Sequence, residues 1–241
     1  MIELTGVQRT YVVGGRPVYA LKELNLRIER GEYVSVMGPS GSGKSTLLHL
    51  LGCLDRPTAG SYRFAGEETA RMTEDELSRL RRLQIGFVFQ FFHLVPRLTA
   101  AGNVELPMVF AGVLPKERRQ RVHNALAGVG LTERADHRPD QLSGGEQQRV
   151  AIARAVVMSP GLLLADESTG NLDSGSGREI VHLMEEMNRQ GLTLIVVTHD
   201  SRVGERARRR IRLADGEVIS DERFEGAPIR AAAEPGSVSA A

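Results

Sequence analysis

Four short stretches of this chain are almost continuously apolar: 33–37, 85–89, 162–165 and 193–198. Runs of that length fit parallel strands covered on both faces, since neither face then meets water. Between and around them, apolar residues recur at helical spacing and predict helices over 44–53, 74–82, 116–128, 144–158, 176–190 and 201–207. Residues 2–8, 18–28 and 60–66 read as further short strands, with Gly14-Gly15 and Arg30-Gly31 as turns. Strands alternating with helices predict an α/β fold around a parallel sheet. From about 91 to 158 the pattern is helical with no good parallel strand, which marks an inserted helical subdomain. Residues 1–225 are expected to form one domain. The small, polar residues 226–241 are expected to be a disordered tail. No internal repeat is visible.

Composition narrows this picture. A chain of 241 residues suits one large domain, or one core with a subdomain, and 41% hydrophobic residues suffice for a core. The net charge of +1 points to no particular partner. The basic cluster Arg206, Arg208, Arg209 and Arg210 reads as a solvated helix face, with a patch for nucleic acid or anionic lipid as the second reading. Cys53 is the single cysteine, which rules out an internal disulfide and a cysteine zinc site; it reads as a small core residue. The N-terminus has no basic, then apolar, leader pattern, and no run approaches the roughly 18–20 apolar residues that cross a bilayer. The expectation is a cytoplasmic polypeptide that reaches a membrane only through a partner.

The most specific chemistry lies at 38–46. Gly38-Pro39-Ser40-Gly41-Ser42-Gly43-Lys44-Ser45-Thr46 has the spacing G-x-x-x-x-G-K-[ST]. Glycines let the backbone curl so that successive N–H groups point at nucleotide phosphates. Lys44 places a compact positive charge on the outer phosphates, and the Ser45 hydroxyl is a ligand for Mg²⁺. The loop follows a strand-like segment and opens a helix whose positive end faces the anion, as the motif requires.

Other segments add to it. Leu162-Leu163-Leu164-Ala165-Asp166-Glu167 is a buried strand ending in two acids. Asp166 suits the Mg²⁺ shell and Glu167 suits a general base for water, although adjacent acids also occur at solvated strand ends. Leu142-Ser143-Gly144-Gly145-Glu146 precedes a helix. Ser143 is a good N-cap, and the glycines leave bare N–H groups at a helix N-terminus, a second anion-binding device. Alone, this segment is also an ordinary cap. Gln90 and His199 follow apolar strands, where ligands bind in open α/β sheets; each alone is only a polar residue at a strand end.

Together these segments resemble the ATP-binding cassette (ABC) ATPases, from Met1 to about Phe224. The order matches: Tyr11 as the adenine-stacking aromatic, 38–46 as Walker A, Gln90 as Q-loop, 142–146 as signature, 162–167 as Walker B, Gly170 to Asp173 as D-loop and His199 as switch histidine. The resemblance implies a P-loop NTPase fold: a RecA-like core with a mainly parallel sheet, an N-terminal antiparallel β subdomain and the inserted helical subdomain. It implies ATP and Mg²⁺ as cofactors. Gln90 would sense Mg²⁺ and the transporter, and His199 would contact the γ-phosphate. The signature of one subunit would close over the ATP of another, so two copies pair head to tail in an ATP-dependent way. Ser168 departs from the usual proline after the catalytic glutamate, which bears on rate or coupling and not on Mg²⁺–ATP binding.

Residues 49–60, 90–99, 103–107 and 170–173 resemble the subgroup of lipoprotein-release, macrolide-export and antimicrobial-peptide-export ATPases. That implies a permease partner with few transmembrane helices and a large extracytoplasmic domain, and a place on the inner face of the cell membrane. Gly102 stands where this subgroup commonly has Glu. Phe89, Phe91 and Phe92 either line the permease groove or pack the core against the helical insertion. The stretch from Thr46 to Leu142 has no heptads and no cysteine besides Cys53, which argues against chromosome-associated relatives, and a single cassette argues against translation factors. Glu167 and the Ser-Gly-Gly segment disfavour a P-loop kinase. No nucleic-acid partner is expected. A cell-division ATPase remains a reading within the same class.

Overall fold

The computed structural model describes residues 1–224; the tail expected over 226–241 lies outside them. The four apolar runs become neighbouring parallel strands: β3 (Tyr33–Met37), β6 (Ile85–Phe89), β7 (Leu162–Asp166) and β8 (Thr193–Val197). They lie in the order β3-β8-β7-β6 within a six-stranded sheet. Their apolar continuity has a simple cause. Val34, Val36, Leu162, Leu164, Ile195 and Val197 enter one core cluster, while the alternate residues Tyr33, Leu163, Ala165, Leu194 and Val196 enter a second. Each face is therefore dry.

The first cluster is closed by β1 (Ile2–Val13), β2 (Arg16–Ile28), β4 (Ala59–Phe64) and α1 (Lys44–Leu51). The strands, with the short β5 (Glu67–Glu68), make an antiparallel sheet ordered β2-β1-β4-β5. β1 runs past the expected 2–8 to Val13, and β2 starts two residues before the expected 18, which makes a long hairpin. Leu47, Leu48, Leu50 and Leu51 fix α1 against this core, each buried leucine contributing about 1.5–3 kcal/mol. α2 (Glu74–Gln84) follows, started by a reciprocal cap between Thr73 and Glu76.

The second cluster is closed by α3 (Ala100–Phe110), α4 (Pro115–Gly128) and α5 (Gly144–Val156), which lie between β6 and β7, and by α6 (Ser174–Arg189). α3 packs on both α4 and α5. It was hidden in the pattern because Gly102 and Pro107 sit inside it, both poor helix residues. The fully buried Asn103 anchors it: its side chain bonds Val95 N and the carbonyls of Val95, Leu98 and Thr99, pinning the loop before the helix.

The arginine cluster is not a solvated helix face. The expected helix 201–207 shortens to α7 (Ser201–Gly204). Arg209 and Arg210 instead start β9 (Arg209–Ala214), parallel to β3, and β10 (Glu217–Arg223) closes the edge antiparallel to β9. Arg209 is buried, bonded to Asp221 and Glu32, and Arg206 grips the buried Glu185 with two 2.6 Å bonds. Partners distant in sequence turn these charges inward. Cys53 is buried, as expected. Among the described residues no helix is long and apolar enough to cross a membrane.

Candidate active site

The loop after β3 is shaped by two glycines. A Cβ on Gly38 would collide with Leu213 O, and one on Gly43 would sit 2.5 Å from Ala20 O. Gly43 also caps α1 with φ of 99°, a left-handed conformation that glycine adopts freely. Lys44 folds back over the loop, its Nζ donating to Gly38 O at 2.9 Å and Pro39 O at 2.8 Å.

This loop floors a cleft of about 750 Å³. Of the expected residues, Gly38, Pro39, Ser40, Gly41, Gly43, Lys44, Ser45, Thr46, Gln90, Asp166, Glu167 and His199 line it. Ser42 is buried beneath the loop. The strand ends explain the convergence. Phe89, Asp166 and Val197 are register partners across β6, β7 and β8, so Gln90 and Glu167, one residue on, and His199, two residues on, come to one edge.

Asp166 has its carboxyl pushed above the ordinary aspartate range, first by burial and then by the neighbouring Glu167 charge; His49 and Lys44 oppose this. Glu167 takes φ of 47°. Its Oε1 accepts from His199 N at 3.0 Å and lies 2.7 Å from His199 Nδ1. A carboxylate accepts, which assigns the hydrogen to Nδ1. Thr198 Oγ1 reaches Oε2 at 3.4 Å. Glu167 and His199 are thus already joined. Gln90 is tied elsewhere: its Nε2 donates to Asn171 Oδ1, and Asn171 Nδ2 donates to Gln90 O, both at 3.1 Å.

The remaining expected residues do not line this cleft. Ser143 caps α5 by accepting from Glu146 N, while Glu146 accepts from Ser143 N at 2.8 Å and from Arg134 at 3.1 Å. The Ser143 amide chiefly holds the Glu146 carboxyl below its usual range. Gly144 and Gly145 form the first turn of the same helix. Asp173 caps α6, accepting from Gly175 N, Ser176 N and Ser176 Oγ. Tyr11 stands across from Val18, which borders the cleft, and directly opposed residues share a face of the hairpin. Its hydroxyl donates to Asp55 at 2.8 Å, and the Arg9 guanidinium covers one ring face.

Sequence reasoning passed over Tyr19, which lines the cleft, and Gln148, a fully buried amide on α5. For Gln148 the only signal was an amide on an apolar helix face.

A phosphate loop facing an acid pair at the strand ends defines a P-loop ATPase. The chain belongs to the ABC transporter family: the family model described as "ABC transporter" matches residues 21–170. It is similar to the macrolide export ATP-binding/permease protein MacB of Rhodopseudomonas palustris, strain HaA2, at 54% identity over 220 residues. It is also similar to the MacB of Marinobacter nauticus, at 52% over 221 residues. The matches cover 91% and 92% of this chain but 34% of either relative, so the chain spans about a third of their length. Among solved structures, the dimeric post-hydrolysis state of the ATP-binding cassette MJ0796 bound to ADP and Pi superposes with a TM-score of 0.85 at 48% identity, covering 94% of this chain and all of that one. CbiO1 of Clostridium perfringens, part of the ABC transporter complex cbiONQ, gives 0.84 at 31% identity, covering 92% and 88%. This chain is an ATP-binding, ATP-hydrolysing cassette of the ABC transporter family, with the expected α/β P-loop fold.

Proposed function

We propose that this cassette powers an export or mechanotransmission complex by closing as a head-to-tail pair over two ATP molecules. The observation that carries the reading is spatial. Lys44, Asp166, Glu167 and His199 share one cleft, while Ser143, Gly144 and Gly145 of the same chain stand outside it. A second copy supplies the missing N–H donors, a reading that the dimeric state of the MJ0796 cassette supports.

Adenine stacks on the Tyr11 face that Arg9 leaves open. The phosphates lie on the loop amides and Lys44. The oxygen donors Ser45, Gln90 and Asp166 suit Mg²⁺, which favours a carboxylate, a hydroxyl and substrate phosphates over an all-protein cage. Mg²⁺ there would neutralise charge on the phosphates. Glu167 takes the proton of the attacking water, with His199 holding its carboxylate in place. Lys44 and the partner's signature N–H groups stabilise the γ-phosphoryl charge. A membrane permease with few transmembrane helices and a large extracytoplasmic domain receives the motion and holds the cassette at the inner face of the membrane.

Glu167→Gln tests this. With Mg²⁺–ATP it should accumulate as a dimer by light scattering, turn over ATP at least ~100-fold more slowly, and co-purify with one permease from native membranes. A monomeric variant, or one with undiminished turnover, refutes the pairing or the base. An intact dimer that brings down only soluble or nucleic-acid-bound proteins refutes the transport role.

A further inference from the structure

Gln148 lies in the second turn of α5, five residues after Ser143, and its side chain is sealed from solvent. Its Nε2 donates to two backbone carbonyls, Phe89 O at 3.2 Å and Ser168 O at 2.7 Å. Neither acceptor is incidental. Phe89 directly precedes Gln90, and Ser168 directly follows Glu167. Farther along the same segments, Gln90 and Asn171 are joined by their own reciprocal pair. One amide nitrogen therefore fastens the helix that starts at Ser143 to the two strand ends that carry the nucleotide-facing glutamine and the base.

The contact has a second half. Among the described residues, Gln148 Oε1 and Ser168 Oγ are both buried and without a partner. They belong to the two residues already joined by the 2.7 Å bond, and one is an acceptor while the other is a rotatable donor. Two buried polar atoms left unpaired in such a place are unusual. A bridging water, or rotation of the hydroxyl, would satisfy both.

We propose that Gln148 is a positioning residue for hydrolysis. It couples the placement of the signature helix to Gln90 and Glu167, and Ser168 supplies the second link through its hydroxyl. When a nucleotide held by the other copy engages Ser143 to Gly145, α5 shifts as a rigid rod and carries both carbonyls with it. The contact needs a donor at position 148, which an apolar side chain of equal length does not offer. The proposal rests on hydrolysis at Glu167; wild-type turnover in the same assay separates failure of that reading from failure of this one.

The test compares Gln148→Met, which keeps length and loses the donor, with Gln148→Glu and Ser168→Ala in the full chain. Gln148→Met should lower kcat about tenfold, the order expected for losing a buried hydrogen bond that orients reacting groups, while the Kd for a fluorescent ATP analogue stays within about twofold. Gln148→Glu donates only when protonated. Its kcat, taken as a ratio to wild type at each pH so that pH effects common to both proteins cancel, should match Gln148→Met at pH 8 and recover toward pH 6. Ser168→Ala should give a smaller loss, about threefold, by removing one weak link. Packing alone would not produce the pH recovery. A folded Gln148→Met with normal kcat overturns the proposal, and so does kcat falling only in step with nucleotide affinity. Should Gln148→Met not fold, a Gln148→Glu ratio that stays flat from pH 8 to 6 overturns it, and recovery supports it. Unchanged kcat in Ser168→Ala overturns the second link.

Discussion

Arg209→Met removes four hydrogen bonds while keeping much of the side-chain volume. The guanidinium, 6% exposed, donates to the two Asp221 oxygens at 2.8 and 2.7 Å, to Glu32 at 3.0 Å and to Arg27 O at 2.6 Å. Deleting one partner of a buried ion pair costs about 3–5 kcal/mol, because the stranded charge has lost both water and its counter-ion. Here the stranded groups are not fully sealed: Asp221 is 34% exposed and Glu32 19%, and Arg223 stays 3.0 Å from Glu32. Water and Arg223 recover part of the loss, which puts the expected cost near the lower end, about 3 kcal/mol. Urea unfolding at pH 7, followed by circular dichroism, measures it. The pH dependence has a definite sign. Arg209 holds the Asp221 carboxyl below its ordinary value, so this contribution is present above the unfolded-state pKa and fades as pH falls through the folded one. The gap between wild type and variant should shrink in acid. A loss under about 1 kcal/mol at pH 7, or a gap that widens in acid, refutes the reasoning.

Other perturbations probe the cleft and its surroundings. Asp166→Asn should raise the unfolding midpoint near pH 7.5 and abolish Mg²⁺-dependent turnover. Burial and Glu167 raise the Asp166 carboxyl, so its ionised form opposes folding increasingly as pH rises; a midpoint that falls in a thermal melt contradicts this. Tyr11→Leu should weaken ATP binding about tenfold by removing a stacked base contact, with Tyr11→Phe close to wild type; unchanged affinity in the Leu variant, measured by equilibrium binding, would shift the adenine contact to Tyr19. Phe91 is 65% exposed, whereas Phe89 stacks on Phe87 and meets His93 edge-on. Phe91→Ala should leave stability within about 0.5 kcal/mol and weaken permease capture, while Phe89→Ala should destabilise the fold.

How much of this was legible depended on whether the cause was local. The phosphate loop, the Asp166–Glu167 pair and the Ser143 cap are set by neighbours a few residues apart, and short motifs record such constraints. The long-range partners left little trace. Arg209 reads as solvated until Asp221 and Glu32 are brought to it by β10 and the turn before β3. α3 contains Gly102 and Pro107 and exists because Asn103 and the packing on α4 and α5 override those residues. Gln148 takes its meaning from two carbonyls 59 and 20 positions away. The placement of Tyr11 likewise needed the register of the β1–β2 hairpin, which periodicity did not supply.

The left-handed backbone at Glu167 bears on laboratory evolution of this chain. A non-glycine residue held at φ of 47° gives up about 1 kcal/mol that glycine would not. On the proposed role of Glu167 as base, a library selected only for heat tolerance would drift toward glycine at that site and finish as a sturdier protein without chemistry. A library selected for work would keep the strained glutamate. The residue found at position 167 in the survivors therefore records which pressure the experiment actually applied.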